Sequence, residues 1–148
     1  KNLKAEGIKL LYHNHNYEFQ KVDGRINAYE YILGNTDPEC VGFEFDSYWP
    51  TEAGVCALDV MKMLGDRMKL YHINDRGTKL TKHMMTPILK SDSCELGYGN
   101  MNLEALCQQA LSVGVEAVVL ESHKNWIDNS PVRSFEVSAE FMNEHVKA

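Results

Sequence analysis

The sequence predicts an α/β fold in which parallel strands alternate with helices. Two observations carry that prediction. Four short runs rich in Val, Ile, Leu, Phe and Tyr recur along the chain with amphipathic helical windows between them, and every run ends in polar, chemistry-bearing residues. Strands joined by helical crossovers pair in parallel, and parallel strands covered by helices read as near-continuous apolar stretches, as these do.

The elements follow in order. The opening KNLKAEGIKLL reads as the last turns of a helix stopped at Gly7 and, lacking a methionine, as part of something longer. IKLLYHNH, residues 8–15, is the first strand, and INAYEYILGN supplies a helical window after it. CVGFEFD, 40–46, is the second strand, followed by a helix near Thr51 and the window EAGVCALDVMKMLGD. MKLYHIND, 68–75, is the third. The longest irregular stretch then runs from Arg76 to Asn100, a length usually reserved for functional loops. Within and just beyond it, LGYGNMN lacks a GxGxxG or P-loop pattern and is expected to shape a turn before a helix. NLEALCQQALSVG is that helix, stopped by Gly114, and EAVVLES, 116–122, is the fourth strand. The last helix, in SPVRSFEVSAEFMNEHVK, has Ser130 as N-cap and Pro131 at its first position.

With 148 residues and 44% hydrophobic content, the chain is expected to form one domain, 1–148. A net charge of -6 leaves no basic excess to neutralise phosphates, which argues against nucleic acid and anionic membrane surfaces as partners. The scattered cysteines, Cys40, Cys56, Cys94 and Cys107, form no CxxC pair and read as reduced thiols. No stretch approaches the roughly 20 apolar residues that span a bilayer. The expectation is a soluble, cytoplasmic protein.

In parallel α/β folds ligands bind beyond the carboxyl ends of the strands, where His13, His15, Asp46, His72, Asp75 and Glu121 all fall. Each has an ordinary alternative. Asp46 could cap the next helix, His72 could be a satisfied core histidine, and Asp75 could cap a turn. Glu44, two residues before Asp46 on the same strand face, reads as a buried hydrogen-bonded support. Glu121, emerging from AVVL, needs a cation or several donors around it. Two carboxylates and a histidine from three strands, with Glu18 or a histidine from a fourth, make an oxygen-rich set suited to Mn²⁺, Mg²⁺, Co²⁺ or Zn²⁺. His123 could line the site from just beyond Glu121, whereas His83 lies in the long loop and His145 near the chain end. No serine sits on a GxSxG elbow, and no cysteine has a histidine close in sequence.

The segments YHNHNYEF, FEFDSYWPTEAG, GDRMKLYHIND, ELGYGNMNLEALCQQALSVGVE and VVLES, in that order, resemble the sugar phosphate isomerase/epimerase family of xylose-isomerase-like TIM barrels. The resemblance covers most of the chain and implies four β-α units equivalent to the C-terminal half of a (β/α)8 barrel. It implies one divalent metal held by Asp46, His72 and Glu121, with Glu18 as fourth ligand and His13 or His15 as rivals. It also implies proton transfer beside the carbonyl of a sugar or polyol through a metal-stabilised enediolate. Glu18 and Glu121 would move the proton, or His13 or His15 if Glu18 only binds metal. Trp49, Asp75 and His123 would touch substrate, Trp49 with a flat face or else as rim packing. A lyase or dehydratase using the same enediolate is an alternative, as is a half barrel that binds metal or a partner without catalysis. HIND followed by LGYGN also resembles metal-dependent abasic-site endonucleases, but SDSCELG lacks their histidine pair and Trp49 stands three residues after Asp46. A half barrel leaves two strand edges open, so a homodimer or a missing N-terminal half is expected.

Overall fold

The computed structural model describes residues 1–78 and 91–147. Its elements are α1 (Asn2–Ala5), β1 (Leu10–His13), α2 (Ala28–Asn35), β2 (Val41–Asp46), α3 (Tyr48–Glu52), α4 (Ala57–Leu64), β3 (Met68–Ile73), β4 (Asp75–Thr78), β5 (Ser91–Cys94), α5 (Leu103–Ser112), β6 (Ala117–Leu120) and α6 (Pro131–His145), with short 3-10 turns between some of them. β1, β2, β3 and β6 form a four-stranded sheet in that order, every neighbouring pair parallel. The expected strand-helix succession is therefore present.

Side chains alternate across a strand, so each strand presents two different faces. Phe43 and Phe45 of β2, with Tyr71 and Ile73 of β3, pack into a core with Tyr29, Met61, Leu64, Leu103, Leu106 and Ala110 from the covering helices. The opposite face carries Leu11, His13, Glu44, Asp46, Leu70 and His72, the direction that would be the interior of a closed barrel. Arg67 ties α2 to the start of β2. Its guanidinium donates to the carbonyls of Leu33 and Val41 and to Thr36 Oγ1, and lies 4.9 Å over the Phe43 ring.

Helix ends follow the local chemistry. Asn27 and Glu30 form a reciprocal capping box on α2, and Ser130 caps α6 with Pro131 in its first turn. Gly7 and Gly114 stand at φ +72° and +73° beyond α1 and α5, the left-handed backbone that only glycine adopts without strain. The helical window expected over residues 52–66 is split, because Gly54 at φ +77° separates α3 from α4. Among the described residues no helix is long and apolar enough to cross a membrane, and no disulfide joins any of the four cysteines.

The stretch from Arg76 to Asn100 is more ordered at its ends than its composition suggests. β4 and β5 pair antiparallel from Asp75↔Cys94 to Thr78↔Ser91, while residues 79–90, with His83, lie outside the described residues. The two strands are short and polar, so nothing in DRGT or SDSC signals alternation. Asp75, expected to touch substrate, is instead buried, and its carboxylate organises the chain that returns from this ribbon. Oδ2 accepts the N–H of Gly97 and Gly99 at 3.0 and 2.9 Å, and Oδ1 accepts those of Met101 and Arg76 at 3.2 and 2.8 Å. With every lone pair directed at backbone, Asp75 has nothing left to offer a ligand. A Cβ on Gly99 would lie 2.2 Å from Asp75 Oδ1, so the turn requires glycine there.

Asp75→Ala strips four backbone donors of their acceptor and is expected to destabilise the protein by about 2–4 kcal/mol, from the cost of unsatisfied buried polar groups. Gly99→Ala should act in the same direction. Urea unfolding reads both as a lowered midpoint with unchanged slope. A wild-type midpoint for Asp75→Ala would show that the turn is held by something else.

Candidate metal centre

Parallel register brings the strand ends to one place. Asp46 pairs with His72 across β2 and β3, His13 ends β1 beside Glu44, and the Glu121 N–H donates to the Ile73 carbonyl, extending the ladder just past β6. One nitrogen or oxygen from each of His13, Asp46, His72 and Glu121 lies within 4.8 Å of the others. His13 Nε2 is 3.3 Å from His72 Nδ1 and 3.9 Å from both Asp46 Oδ2 and Glu121 Oε2, and His72 Nδ1 is 2.7 Å from Glu121 Oε2.

The surroundings fix each group. His72 Nε2 meets Glu44 Oε1 at 2.7 Å, so a carboxylate holds the ring by one nitrogen and turns the other into the cluster. That arrangement sets tautomer and orientation in metal-bound histidines. Asp46 is completely buried and held from three sides. Asn14 brackets its backbone, with Nδ2 donating to the Asp46 carbonyl and Oδ1 accepting its N–H, both at 3.0 Å. Tyr48 N–H donates to Oδ1 at 2.7 Å, and Asn74 Nδ2 to Oδ2 at 3.3 Å.

Charges this close shift one another. Burial, reinforced by the neighbouring Glu121, pushes the Asp46 carboxyl well above the usual carboxylate range. Glu121 is held below that range, chiefly by its hydrogen bond to His72. The same hydrogen bond raises His72, while burial and then the neighbouring His72 lower His13.

Of the residues expected here, the structure brings together His13, Asp46, His72 and Glu121. It places Glu18 elsewhere. Glu18 is buried in the 3-10 turn after β1, with Oε1 accepting from Tyr12 Oη at 2.9 Å and Oε2 from the His15 N–H at 3.0 Å. The two oxygens are engaged in shaping the turn, and the position nearest the cluster falls to His13. Burial, followed by the Glu18 hydrogen bond, pushes the Tyr12 hydroxyl up to about 12.

His15, Trp49 and His123 form an aromatic border beside the cluster. The His15 ring lies 5.1 Å from that of His13 and 5.3 Å from Trp49, which in turn is 5.7 Å from His123. His123 Nε2 reaches Glu121 Oε1 at 3.0 Å. A cavity of about 450 Å³ opens next to it, lined among others by Tyr48, Trp49, Glu52, Asp92, His123 and Lys124. Sequence reasoning missed Asn14 and Asn74, the amides that hold Asp46. The only signal for Asn14 was its place between two histidines in HNH.

No protein-family model and no curated protein sequence matches the chain. Solved structures do. A sugar phosphate isomerase/epimerase from Parabacteroides distasonis ATCC 8503 is 27% identical with a TM-score of 0.73, covering 97% of this chain and 48% of its own. A second one from that organism is 26% identical with a TM-score of 0.70, covering 98% of this chain and 50% of its own. The IOLI protein, solved with a zinc atom, is similar in fold at 16% identity and a TM-score of 0.66, with 97% and 51% covered. The chain thus spans about half the length of the structures it matches.

The Asp46 environment has a consequence for pH. A carboxyl whose pKa is raised by folding binds its proton more tightly in the folded state, so it supports stability below its unfolded value near 3.8 and loses that contribution as pH rises above it. In the presence of a chelator, Asp46→Asn should therefore gain stability relative to wild type between pH 5 and pH 8, as read by urea unfolding. Parallel pH profiles for the two proteins would contradict this assignment.

Proposed function

Because the chain belongs to the sugar phosphate isomerase/epimerase proteins of xylose-isomerase-like fold, we propose that it serves a divalent-metal-dependent enzyme that moves a proton beside the carbonyl of a sugar or polyol. The observation that carries this reading is the convergence of His13, Asp46, His72 and Glu121 at the carboxyl ends of four parallel strands. Two imidazole nitrogens and two carboxylates fit Zn²⁺, Mn²⁺ or Co²⁺, with His13 in the fourth position expected for Glu18. Bound there, the cation supplies Lewis acidity that polarises a carbonyl and offsets developing negative charge.

The chain's own groups do the rest. Glu121 is part-exposed, flanked by His72 and His123, and suited to carry a proton. His15 lies at the border of the cluster, next to His13 and Trp49, and is the second proton carrier. Trp49 gives the flat apolar face of a sugar ring something to rest on, and His123 lies where it meets both substrate and Glu121.

A second reading is elimination from a keto sugar or polyol. With His13 at the fourth position, the cluster offers a single glutamate, and elimination needs a base on one face only while a leaving group departs. A probable 3-DHS dehydratase from Bacillus anthracis shares the fold at 14% identity and a TM-score of 0.61.

The outer edges of β1 and β6 have no partner strand among the described residues, and Leu10 is 46% exposed. We propose that a second copy or an N-terminal half completes the barrel. Sedimentation at micromolar concentration should find a dimer or a complex, and a well-folded monomer would remove this part of the reading.

Elemental analysis tests the centre. Asp46→Ala, Glu121→Ala and His13→Ala should each lose bound metal, whereas Glu18→Ala should retain it. Retention in all of the first three would end the metal reading. For the chemistry, deuterium uptake from D₂O into keto sugars should fall by roughly a hundredfold or more in His15→Gln with metal content unchanged, the scale of a lost general acid-base group. Uptake without an eliminated product favours isomerisation, and an eliminated product favours the lyase.

A further inference from the structure

The clasp between Asn14 and Asp46 lies where β1 separates from β2. The ladder between these strands runs from Leu10↔Val41 to His13↔Glu44 and ends there, while β2 continues to Asp46. Continued in the same register, the next partners would be Asn14 with Phe45 and His15 with Asp46. The chain turns away instead, and the His15 N–H donates to Glu18 Oε2 at 3.0 Å. On that side of β2 the N–H and carbonyl of the fully buried Asp46 would be left without partners, a costly state for backbone polar groups.

The Asn14 side chain closes that gap. Its Oδ1 accepts the Asp46 N–H and its Nδ2 donates to the Asp46 carbonyl, both at 3.0 Å. A primary amide carries the same acceptor and donor as a peptide unit, so the side chain replaces one rung of the parallel ladder after the backbone has left it. Chemistry fixes which way the amide points, since the N–H needs its oxygen and the carbonyl its nitrogen. Asn14 is itself completely buried, and both ends of its amide are engaged by backbone, so it acts on the cluster through Asp46. His13 precedes it in the chain and keeps Nε2 3.9 Å from Asp46 Oδ2. The other holds on the Asp46 carboxylate come from Tyr48, two residues on, and from Asn74, just after β3. The link from Asp46 back to His13 therefore runs through Asn14.

We infer that Asn14 is a positioning residue for the metal centre, its side-chain rung fixing the spacing of His13 and Asp46 at the point where β1 leaves the sheet. This rests on the metal reading of the same cluster. The substitution of side chain for backbone lets the chain turn directly after His13 and bring His15 beside Trp49 without loosening Asp46. Groups that orient a metal ligand from outside the coordination sphere typically lower metal affinity by about 10–100-fold when they are removed.

The test uses the full chain in the assembly it forms and the metals themselves: Zn²⁺ affinity by chelator competition, and the visible absorption of bound Co²⁺, which reports ligand geometry. Asn14→Ser keeps a polar side chain too short to bridge both backbone groups of Asp46. It should bind Zn²⁺ about 10–100-fold more weakly than wild type and shift the Co²⁺ bands. Asn14→Ala should behave alike and gives a second variant should the first not fold. Gly99→Ala, destabilised at the turn that Asp75 holds, serves as the control: its urea midpoint should fall while its Zn²⁺ affinity and Co²⁺ spectrum stay those of wild type. An affinity loss in Gly99→Ala as large as in the Asn14 variants would make the effect one of stability and overturn the inference. So would wild-type Zn²⁺ affinity or an unshifted Co²⁺ spectrum in the Asn14 variants, or the failure of both to fold. Wild type that binds neither metal would remove the metal reading and this inference with it, whereas metal held equally by wild type and Asn14 variants would remove the positioning role alone.

Discussion

Parallel register is the constraint on which the site depends. Because β1, β2, β3 and β6 run the same way and pair without inversion, their carboxyl ends arrive at one level, and side chains of the same parity share a face. A slip of one residue in β3 would turn His72 toward the helices and Tyr71 out of the core. The apolar packing of Phe43, Phe45, Tyr71 and Ile73 therefore holds the register, and the register in turn holds the cluster. Stability and chemistry use opposite faces of the same strands.

Crowding follows from that geometry. Asp46 and Glu121 meet in a place where burial opposes both charges, and the protein answers differently for each. Glu121 stays part-exposed and is flanked by two imidazoles, so its charged form is favoured. Asp46 has no exposure and is held by amides and backbone N–H groups, which fix its position without supplying a full positive charge. Their pKa values are driven apart as a result, Asp46 upward and Glu121 downward.

Much of this was legible in the sequence. The strand-helix period appeared as apolar runs, and Asp46, His72 and Glu121 stood at the ends of three of them. What could not be read was orientation. His13 and Glu18 were both plausible fourth ligands, because sequence spacing does not say how a chain turns after a strand. The turn after β1 folds Glu18 back onto Tyr12 and the His15 N–H. Asp75 misled for a related reason: a strand-end aspartate looks alike whether its oxygens face solvent or a nest of backbone donors more than twenty residues away. The β4–β5 ribbon is polar and short, so hydrophobic periodicity had nothing to register.

The displacement of Glu18 by His13 changes what the site can do. A glutamate in that position could hold a cation with one oxygen and carry a proton on the other, whereas an imidazole coordinating through one nitrogen has no second oxygen to offer the same substrate carbon. On the proposed reading, proton transfer on that side would fall to a neighbouring group. His15 lies two residues on, and Glu18 is the residue that fixes its backbone. Removing the carboxylate from the cluster and using it to shape the turn thus separates two tasks that one glutamate could have combined. His13 stands in the cluster, and His15 lies at its border beside Trp49. The turn YHNHNYE is long enough to serve both because Asn14, between the two histidines, anchors to Asp46 and keeps their rings on the same side of the sheet.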